Sequence, residues 1–349
     1  MNITAGKLWG LRRLADDRGL FKMTAVDQRP PIKQLVANAR GTETASDADV
    51  RTVKRMLLEE LAADSTALLL DPHFAYPAAI DAVPSSKGLL LTLEDSVFEE
   101  TPGGRRSAEI GDWSVEKIKR AGGDAVKALA WYRPDAAPEI KEHQKALVAG
   151  MGEACRRFDL PFIFELLTYP LPSDPAAIDD AAAIEQRAMH VIESVAEFSA
   201  PEYGVDLFKL ESPVPPALVP DPDGESVADI QAIFDEVGRA TDRPWVMLSA
   251  GAQRDAFTRV LTFAYRSGAS GFLAGRAIWW EPLQQFPDVD AARAALRAEG
   301  APYLREISEL TDALALPFFD HPSYGEEGLV LSGDLFDFRA TYDDMGAGR

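Results

Sequence analysis

The sequence predicts an α/β protein, a (β/α)8 or TIM barrel with an N-terminal helix and a C-terminal extension. Eight short apolar runs begin near residues 21, 67, 88, 125, 161, 205, 244 and 271. These runs are continuously apolar rather than alternating, which is typical of parallel strands buried on both faces. Helical patterns separate most of the runs, and eight strand–helix units make this barrel. The alternative is an open doubly wound sheet, but no G-x-G-x-x-G motif follows the first run.

Helices are predicted where apolar residues recur every three to four positions. The predicted helices span about 5–15, 47–63, 113–121, 138–158, 182–198, 226–240, 254–266 and 302–314. The first of them precedes the first strand and is the extra N-terminal helix. The chain near its C-terminus is rich in acids and glycines and has no helical period. We therefore expect one barrel domain over residues 1–315 and an extension over 316–349, packed on the barrel or partly mobile.

The composition limits the partners. The chain has 349 residues, and its 36 Lys+Arg against 56 Asp+Glu give a net charge of -20. This charge argues against nucleic acid or an anionic membrane as a partner, although local cations can still bind a small anion. The single cysteine, Cys155, excludes an intrachain disulfide. Four scattered histidines lack metal-ligand spacing, so we expect no metal and no cofactor. Without a long apolar run or a signal peptide, we expect a cytoplasmic protein.

Charged side chains interrupt three of the predicted strands. Lys127, Glu165 and Lys209 each lie within an apolar run, where an unpaired charge is costly to bury. The Lys209 side chain could simply snorkel to water. Alternatively, its amine is needed where it lies, because burial lowers a lysine pKa and a neutral amine attacks ketones to form a Schiff base. In a barrel the three side chains would converge, and a second ammonium nearby would favour a neutral lysine.

Other polar residues follow the strands at the end where barrel active sites lie. Asp27, Gln28 and Arg29 end the first run, and Glu211 follows Lys209. The last two runs end in small residues that suit a phosphate site of backbone N–H groups and one arginine: Ser249, Gly251, Gly275 and Arg276. Simpler roles remain open, since Asp27 could cap a turn and Lys127 could pair with Glu165 structurally. Gly275 could serve close packing, Arg276 could bridge acids, and Glu211 could orient a neighbour.

The ordered motifs resemble those of the class I tagatose 1,6-bisphosphate aldolases and related sulfofructose phosphate aldolases. The resemblance covers about residues 5–315 and rests on Ala25-Val26-Asp27-Gln28-Arg29, Gly123-Asp124-Ala125-Val126-Lys127, Phe164-Glu165-Leu166-Leu167, Leu207-Phe208-Lys209-Leu210-Glu211, Leu248-Ser249-Ala250-Gly251 and Ala274-Gly275-Arg276-Ala277. It implies that Lys209 is the Schiff-base lysine, Glu165 the proton-transfer residue and Lys127 the second active-site lysine. It also implies substrate contacts from Asp27 and Gln28, and a dihydroxyacetone phosphate site at Ser249, Gly251, Gly275 and Arg276.

We therefore expect a metal-independent retro-aldol lyase acting on a phosphorylated ketose, most simply tagatose 1,6-bisphosphate. In it, Glu165 would move protons at the carbinolamine and C4 hydroxyl stages. Alternatives are a sulfofructose 1-phosphate aldolase and a non-catalytic sugar-phosphate-binding regulator, and a homo-oligomer, dimer or tetramer, is expected. Two departures from the family, Pro30-Pro31 and Arg133-Pro134-Asp135, lie where the second half of the substrate could bind.

Overall fold

A closed barrel of eight parallel strands forms the centre of the molecule, so the (β/α)8 prediction is confirmed and the open sheet is wrong. The computed structural model describes residues 1–172, 174, 180–224, 227–333 and 338–342. The strands are Phe21–Ala25 (β1), Ala67–Leu70 (β2), Gly88–Thr92 (β3), Ala125–Trp131 (β4), Phe162–Leu167 (β5), Leu207–Leu210 (β6), Trp245–Met247 (β7) and Gly271–Ala274 (β8). Each strand pairs with the next in sequence, and β8 pairs with β1 to close the barrel.

Helices surround the barrel. In the described part of the chain they are Ala5–Leu14 (α1), Pro30–Arg40 (α2), Asp47–Leu61 (α3), Ala75–Ala79 (α4), Val115–Arg120 (α5), Pro138–Arg157 (α6), Asp180–Phe198 (α7), Val227–Ala240 (α8), Arg254–Arg266 (α9), Arg276–Leu283 (α10), Val289–Ala295 (α11) and Ala301–Leu314 (α12). Every predicted helix is present with similar bounds, although the predicted start at residue 226 lies outside the described residues. None of the described helices is both long and apolar enough to cross a membrane.

The α2 helix was not predicted. Pro30 and Pro31 occupy its first turn, where a proline is tolerated because the first N–H groups of a helix have no intrahelical acceptor. The two prolines therefore both end the polar segment after β1 and start a helix.

The amino-terminal end of the barrel is closed by α1 and by the C-terminal extension. The α1 helix packs Leu11 and Leu14 into the same apolar cluster as the first residues of the strands. Phe318 lies against Phe21, with ring centroids 5.4 Å apart. Residues 330–331 pair in parallel with residues 2–3. The described residues of the extension that make these contacts therefore lie opposite the carboxyl ends of the strands, while predictions for 334–337 and 343–349 fall outside the described residues.

The barrel interior changes from apolar to polar along its axis. Near the amino-terminal end, the inward-facing side chains are buried and apolar: Met23, Leu69, Leu90, Ile163, Leu207, Val246 and Leu273. Because inward positions recur every second residue, the next layer on β4, β5 and β6 consists of Lys127, Glu165 and Lys209. Glu165 pairs in register with Lys209 on one side and Leu129 on the other. An apolar floor thus supports a layer of charged side chains.

Candidate active site

A cleft with two lobes lies at the carboxyl ends of the strands. The β7–β8 lobe, about 190 Å³, is lined by Leu248, Ser249, Ala250, Leu273 and Gly275 among others. The β1–β3 lobe, about 260 Å³, is lined by Asp27, Pro30, Pro31, Glu94, Phe98 and Lys127 among others. Both lobes share Gln28, Trp131, Glu165, Leu167, Lys209 and Arg276. Lys209 therefore stands where the two lobes join.

A larger cavity of about 530 Å³ lies at the opposite end of the barrel, between α1 and the C-terminal extension. Trp9, Phe318 and Phe319 contribute to its walls, and none of the described residues lining it is a lysine. Active sites of this fold lie at the carboxyl ends of the strands, whereas the amino-terminal end serves stability. The chemistry therefore belongs to the smaller cleft.

Lys209 is buried rather than snorkelling. Its residue exposure is only 3%, and its Nζ donates a hydrogen bond of 2.9 Å to Oε2 of Glu165. The register between β5 and β6 places the two residues side by side. The alternative in which the lysine head reaches open solvent is wrong.

Three carboxylates surround Lys127. Its Nζ lies 2.6 Å from Oε1 of Glu94, 2.7 Å from Oε2 of Glu165 and 3.0 Å from Oδ2 of Asp27. Burial alone would lower the pKa of Lys127, but the carboxylates of Asp27, Glu165 and Glu94 outweigh it and raise the pKa above its ordinary value. The expectation that two neighbouring lysines lower each other's pKa is therefore wrong for Lys127, which remains an ammonium. Its structural pairing with Glu165 is real, and Lys209 shares the same oxygen.

The carboxylates differ in their proton affinity. Burial alone would raise the pKa of Asp27, but the ammonium groups of Lys127 and Lys209 outweigh it and hold the pKa well below its usual range. Burial would likewise raise the pKa of Glu165, but the same two ammonium groups outweigh it and lower the pKa. At Glu94 burial prevails over the charges of Lys127 and Arg29, and the pKa is raised. Glu94 is therefore the most basic of the three.

Glu94 is absent from the site residues predicted from the sequence. It lies two residues beyond β3, and its Oε2 accepts a hydrogen bond of 2.9 Å from the Thr92 hydroxyl. The signal that identified Asp27, a polar residue at the end of an apolar run, applies equally to Glu94. Trp131, which lines both lobes, also escaped prediction because an aromatic residue at a strand end is usually core.

Asp27, Gln28 and Arg29 lie in the cleft as predicted. Asp27 does not cap a turn, because its Oδ2 accepts from Lys127 instead. Four buried polar atoms of this segment have no hydrogen-bond partner among the described residues: Oδ1 of Asp27, Oε1 of Gln28, and Nε and Nη1 of Arg29. Buried polar atoms are normally paired. The segment thus offers acceptors and donors to a ligand in the β1–β3 lobe.

Three of the predicted phosphate residues, Ser249, Gly275 and Arg276, line the β7–β8 lobe, and the fourth, Gly251, lies against Arg276. Ala250 and Gly251 both have positive φ, +50° and +83°. Such a conformation costs a non-glycine residue about 1–2 kcal/mol, and strained loops of this kind cluster at functional sites. The Gly251 Cα lies beneath Arg276, since an added Cβ would come within 3.1 Å of its guanidinium.

Gly275 and Arg276 begin the α10 helix at the same lobe. A Cβ at Gly275 would lie 2.8 Å from the Ala25 carbonyl, so the glycine does serve close packing as well. Burial lowers the pKa of Arg276, and within the described ranges its side chain has no hydrogen-bonded or ion-paired partner. The alternative in which Arg276 bridges rim acids is therefore wrong for those residues. Free N–H groups at a helix start beside an unpaired guanidinium make an anion site.

Glu211 lines the β7–β8 lobe and Arg133 lies outside both lobes, and the side chains of both are bound by protein groups. Glu211 accepts from the backbone and hydroxyl of Thr168 and from Arg187, as expected of an orienting residue. Arg133 is ion-paired with Asp135 and Asp174, and the Arg133-Pro134-Asp135 departure lines neither lobe. Pro30 and Pro31 do line the β1–β3 lobe. Among the described residues, no group of three or more His, Cys, Asp or Glu side chains could hold a metal.

Known proteins share this sequence and this architecture. Residues 21–281 match the family described as DeoC/LacD family aldolase. Tagatose 1,6-diphosphate aldolase of Listeria monocytogenes is 35% identical over 333 residues, covering 91% of this chain and 95% of the relative. Tagatose 1,6-diphosphate aldolase 2 of Enterococcus faecalis is 34% identical, covering 90% and 96%.

A solved fructose-bisphosphate aldolase from Plasmodium falciparum shares the fold, with a TM-score of 0.66 at 14% identity and coverage of 90% of this chain and 97% of that one. This likeness concerns the barrel architecture. The family model matches three quarters of the chain. Relatives of more than 30% identity align with about nine tenths of it. Together these matches establish which family the chain belongs to. The chain belongs to the DeoC/LacD family of aldolases.

Proposed function

We propose that this aldolase is a class I, Schiff-base lyase that reversibly cleaves tagatose 1,6-bisphosphate to dihydroxyacetone phosphate and glyceraldehyde 3-phosphate. The observation that carries the proposal is the buried Lys209 amine, held 2.9 Å from Glu165 where the two lobes meet. An amine next to a carboxylate can lose its proton and attack a ketone. The names of the relatives from Listeria and Enterococcus support tagatose 1,6-bisphosphate as the substrate.

The site residues divide the work of Schiff-base formation. Lys209 attacks the C2 ketone, and Glu165 takes a proton from the amine and gives one to the carbinolamine oxygen, which leaves as water. The resulting iminium accepts the electrons of the C3–C4 bond when it breaks. Lys127 keeps an ammonium 2.7 Å from Glu165 and so stabilises the ionised carboxylate between proton transfers.

Each lobe of the cleft binds a different part of the substrate. The C1 phosphate binds in the β7–β8 lobe to Arg276, to Ser249 and to backbone N–H groups at Gly251 and Gly275. The remaining sugar extends into the β1–β3 lobe, where Oδ1 of Asp27 and the amide of Gln28 meet its hydroxyl groups.

Arg29 is the proposed contact for the negative group at the far end of the substrate. It is 5% exposed, and it presents two guanidinium N–H groups that lack partners among the described residues. A phosphate there would replace unmade hydrogen bonds with charge-assisted ones. A cytoplasmic location and a homo-oligomer remain predictions from the sequence.

Borohydride trapping tests the Schiff base. The protein is incubated with dihydroxyacetone phosphate, reduced, and mapped by peptide mass spectrometry. We expect a covalent adduct on Lys209 and none in the variant Lys209→Met. The control Lys7→Met removes a buried lysine at the other end of the barrel, where it pairs with Asp206, and should keep the adduct. The absence of an adduct, or an adduct confined to Lys127, would contradict the mechanism.

Substrate comparison tests the identity of the aldehyde half. Cleavage rates are measured for tagatose 1,6-bisphosphate, fructose 1,6-bisphosphate and sulfofructose 1-phosphate. We expect the highest kcat/KM for tagatose 1,6-bisphosphate. A preference for the sulfonate would replace the substrate but keep the Schiff base. Binding without turnover of any of them would instead identify a regulator.

A further inference from the structure

We propose that Glu94 is a catalytic residue that takes the proton of the substrate's C4 hydroxyl, and that Lys127 and Glu165 relay it toward C3 of the intermediate bound to Lys209. The inference rests on the proposed Schiff-base function and specifies how that site moves protons. It assigns the C4 stage to Glu94 and leaves Glu165 the C2 stage, whereas the resemblance alone would give both to Glu165.

A continuous series of short contacts carries the relay. Nζ of Lys209 is 2.9 Å from Oε2 of Glu165, the same oxygen is 2.7 Å from Nζ of Lys127, and that ammonium is 2.6 Å from Oε1 of Glu94. All four side chains are buried, so bulk water does not compete for their protons. The hydroxyl of Thr92 holds the other oxygen of Glu94.

The series connects the two lobes of the cleft. Lys209 and Glu165 line both lobes, whereas Glu94 and Lys127 line the β1–β3 lobe. With the C1 phosphate in the β7–β8 lobe and C2 on Lys209, the C4 hydroxyl falls on the Glu94 side. Glu94 thus lies at the end of the relay where the aldehyde forms.

The proton balance of the reaction requires such a connection. When the C3–C4 bond breaks, its electrons move toward C2 and neutralise the iminium nitrogen, giving an enamine. At the same time C4 becomes a carbonyl carbon by losing its hydroxyl proton. The enamine then takes one proton at C3, and the restored iminium is hydrolysed by water. One proton is released at C4 and one is consumed at C3, so a relay between these positions closes the balance without another reactant.

The three carboxylates around Lys127 are not equally suited to the C4 step. Oε2 of Glu165 already bridges two amines at the C2 end. Asp27 is a weak base because the neighbouring ammonium groups lower its pKa. Burial raises the pKa of Glu94, and a carboxylate with a higher pKa accepts a proton more readily. Lys127 can pass a proton to Glu165 as it takes one from Glu94, because an ammonium carries three donor hydrogens.

The variant Glu94→Gln separates the two halves of the reaction. Cleavage of tagatose 1,6-bisphosphate needs the C4 step, whereas exchange of the C3 hydrogen of dihydroxyacetone phosphate with deuterated water needs only the C2 end. We expect Glu94→Gln to lower kcat for cleavage about 10²–10⁴-fold, the usual contribution of general acid–base catalysis, with a far smaller loss of exchange. Glu165→Gln should lower both rates together.

Two outcomes would overturn the inference. Equal losses of cleavage and exchange in Glu94→Gln would mean that Glu94 only holds Lys127, and unchanged cleavage would mean that Glu94 has no role. If the wild-type protein formed no borohydride adduct, the proposed function itself would fail, which is a separate result. The matched control Asp206→Asn, an acid-to-amide change at the amino-terminal end of the barrel, should leave both rates unchanged.

A second variant keeps the inference testable if Glu94→Gln does not fold. Thr92→Val removes the hydroxyl that donates to Oε2 of Glu94, and loss of a donor to the ionised form raises a carboxylate's pKa. The acid limb of the cleavage kcat should therefore move to higher pH, while the exchange profile stays in place. Identical shifts of both profiles, or no shift in either, would contradict a role for Glu94 at C4.

Discussion

Replacing Lys54 with methionine should lower the free energy of unfolding by about 3–5 kcal/mol, the usual effect of removing one partner of a buried ion pair. Lys54 comes from α3, and neither its side chain nor that of Asp71 has any exposed area. Its ammonium also donates a hydrogen bond of 2.7 Å to the Val26 carbonyl. The methionine would leave a buried carboxylate without its counter-charge and a buried carbonyl without its donor.

The double variant Lys54→Met/Asp71→Asn shows whether the charge is the cause. An asparagine oxygen can still accept from the N–H groups of His73 and Phe74, which now bind Oδ1 of Asp71 at 3.0 and 2.8 Å. With both charges removed, no ion is left unpaired. We expect the sum of the unfolding free energies lost in Lys54→Met and in Asp71→Asn to exceed the loss in the double variant by about 2–3 kcal/mol. This coupling is near the upper end for residues in direct contact.

Urea unfolding followed by tryptophan fluorescence measures these differences, since Trp245 and Trp279 are fully buried reporters. The control Lys22→Met removes another lysine, whose partners Asp16 and Asp312 are partly exposed, and should cost about 1 kcal/mol or less. Strict additivity of the Lys54 and Asp71 losses, or a Lys54 loss as small as the control's, would refute the argument.

Three further variants or conditions test other parts of the cleft. Arg276→Gln should raise KM for dihydroxyacetone phosphate about 10–10²-fold, because a hydrogen bond to a charged group contributes about 1.5–3 kcal/mol, and an unchanged KM would remove Arg276 from the phosphate site. Gly275→Ala should lose activity, since its Cβ would meet the Ala25 carbonyl, whereas Gly150→Ala, with no atom near its Cβ, should remain active in the same assay. The pH–rate profile of the cleavage kcat should have its acid limb at a pH above 4.3, the ordinary glutamate pKa. The reason is that Glu94 must be ionised to accept a proton and its pKa is raised. An acid limb at or below pH 4.3 would contradict the assignment. By the same sign, the raised pKa of Glu94 stabilises the folded state at low pH, and this contribution is lost as the pH rises through that pKa.

The barrel could be predicted because the strands are buried on both faces. Runs such as residues 67–70 and 88–91 are unbroken by polar residues, and this pattern has few structural explanations in a chain with alternating helices. The α2 helix escaped prediction because two adjacent prolines usually end an element of secondary structure, whereas here they occupy the first turn of a helix. The α10 helix escaped because Gly275 and Arg276 look like the end of a strand, and the turn between them is set by packing against β1.

The site was predictable to the extent that charge stood out from an apolar background. Lys127, Glu165 and Lys209 interrupt strands, so the sequence identifies them before any geometry is known. Lys54 gives no comparable signal, because a lysine on an amphipathic helix normally faces water. Only the packing of α3 against the barrel shows that its amine is buried beside Asp71.

Lys127 shows that the number of lysines in a site does not predict their pKa values. Two lysines in one site suggested mutual repulsion, but the pKa follows from all charges within contact distance. Asp27 follows β1 and Glu94 follows β3, and the closed barrel brings both carboxylates to Lys127 on β4, although only β3 is next to β4. Their carboxylates raise its pKa, and the lysine becomes a fixed ammonium at the centre of the network.

The charge pattern of the cleft reconciles an acidic protein with an anionic substrate. The net charge of -20 acts mainly through exposed groups, whose fields are screened beyond a Debye length of about 8 Å at physiological ionic strength. Inside the cleft, Lys127 is shared by three carboxylates, whereas Arg276 has no ion-paired partner within the described residues. A dianionic phosphate therefore gains most where the cation is unpaired. The proposed binding of the C1 phosphate in the β7–β8 lobe uses this unpaired guanidinium together with Ser249 and the backbone at Gly275, and it directs the cleaved bond toward the carboxylates of the β1–β3 lobe.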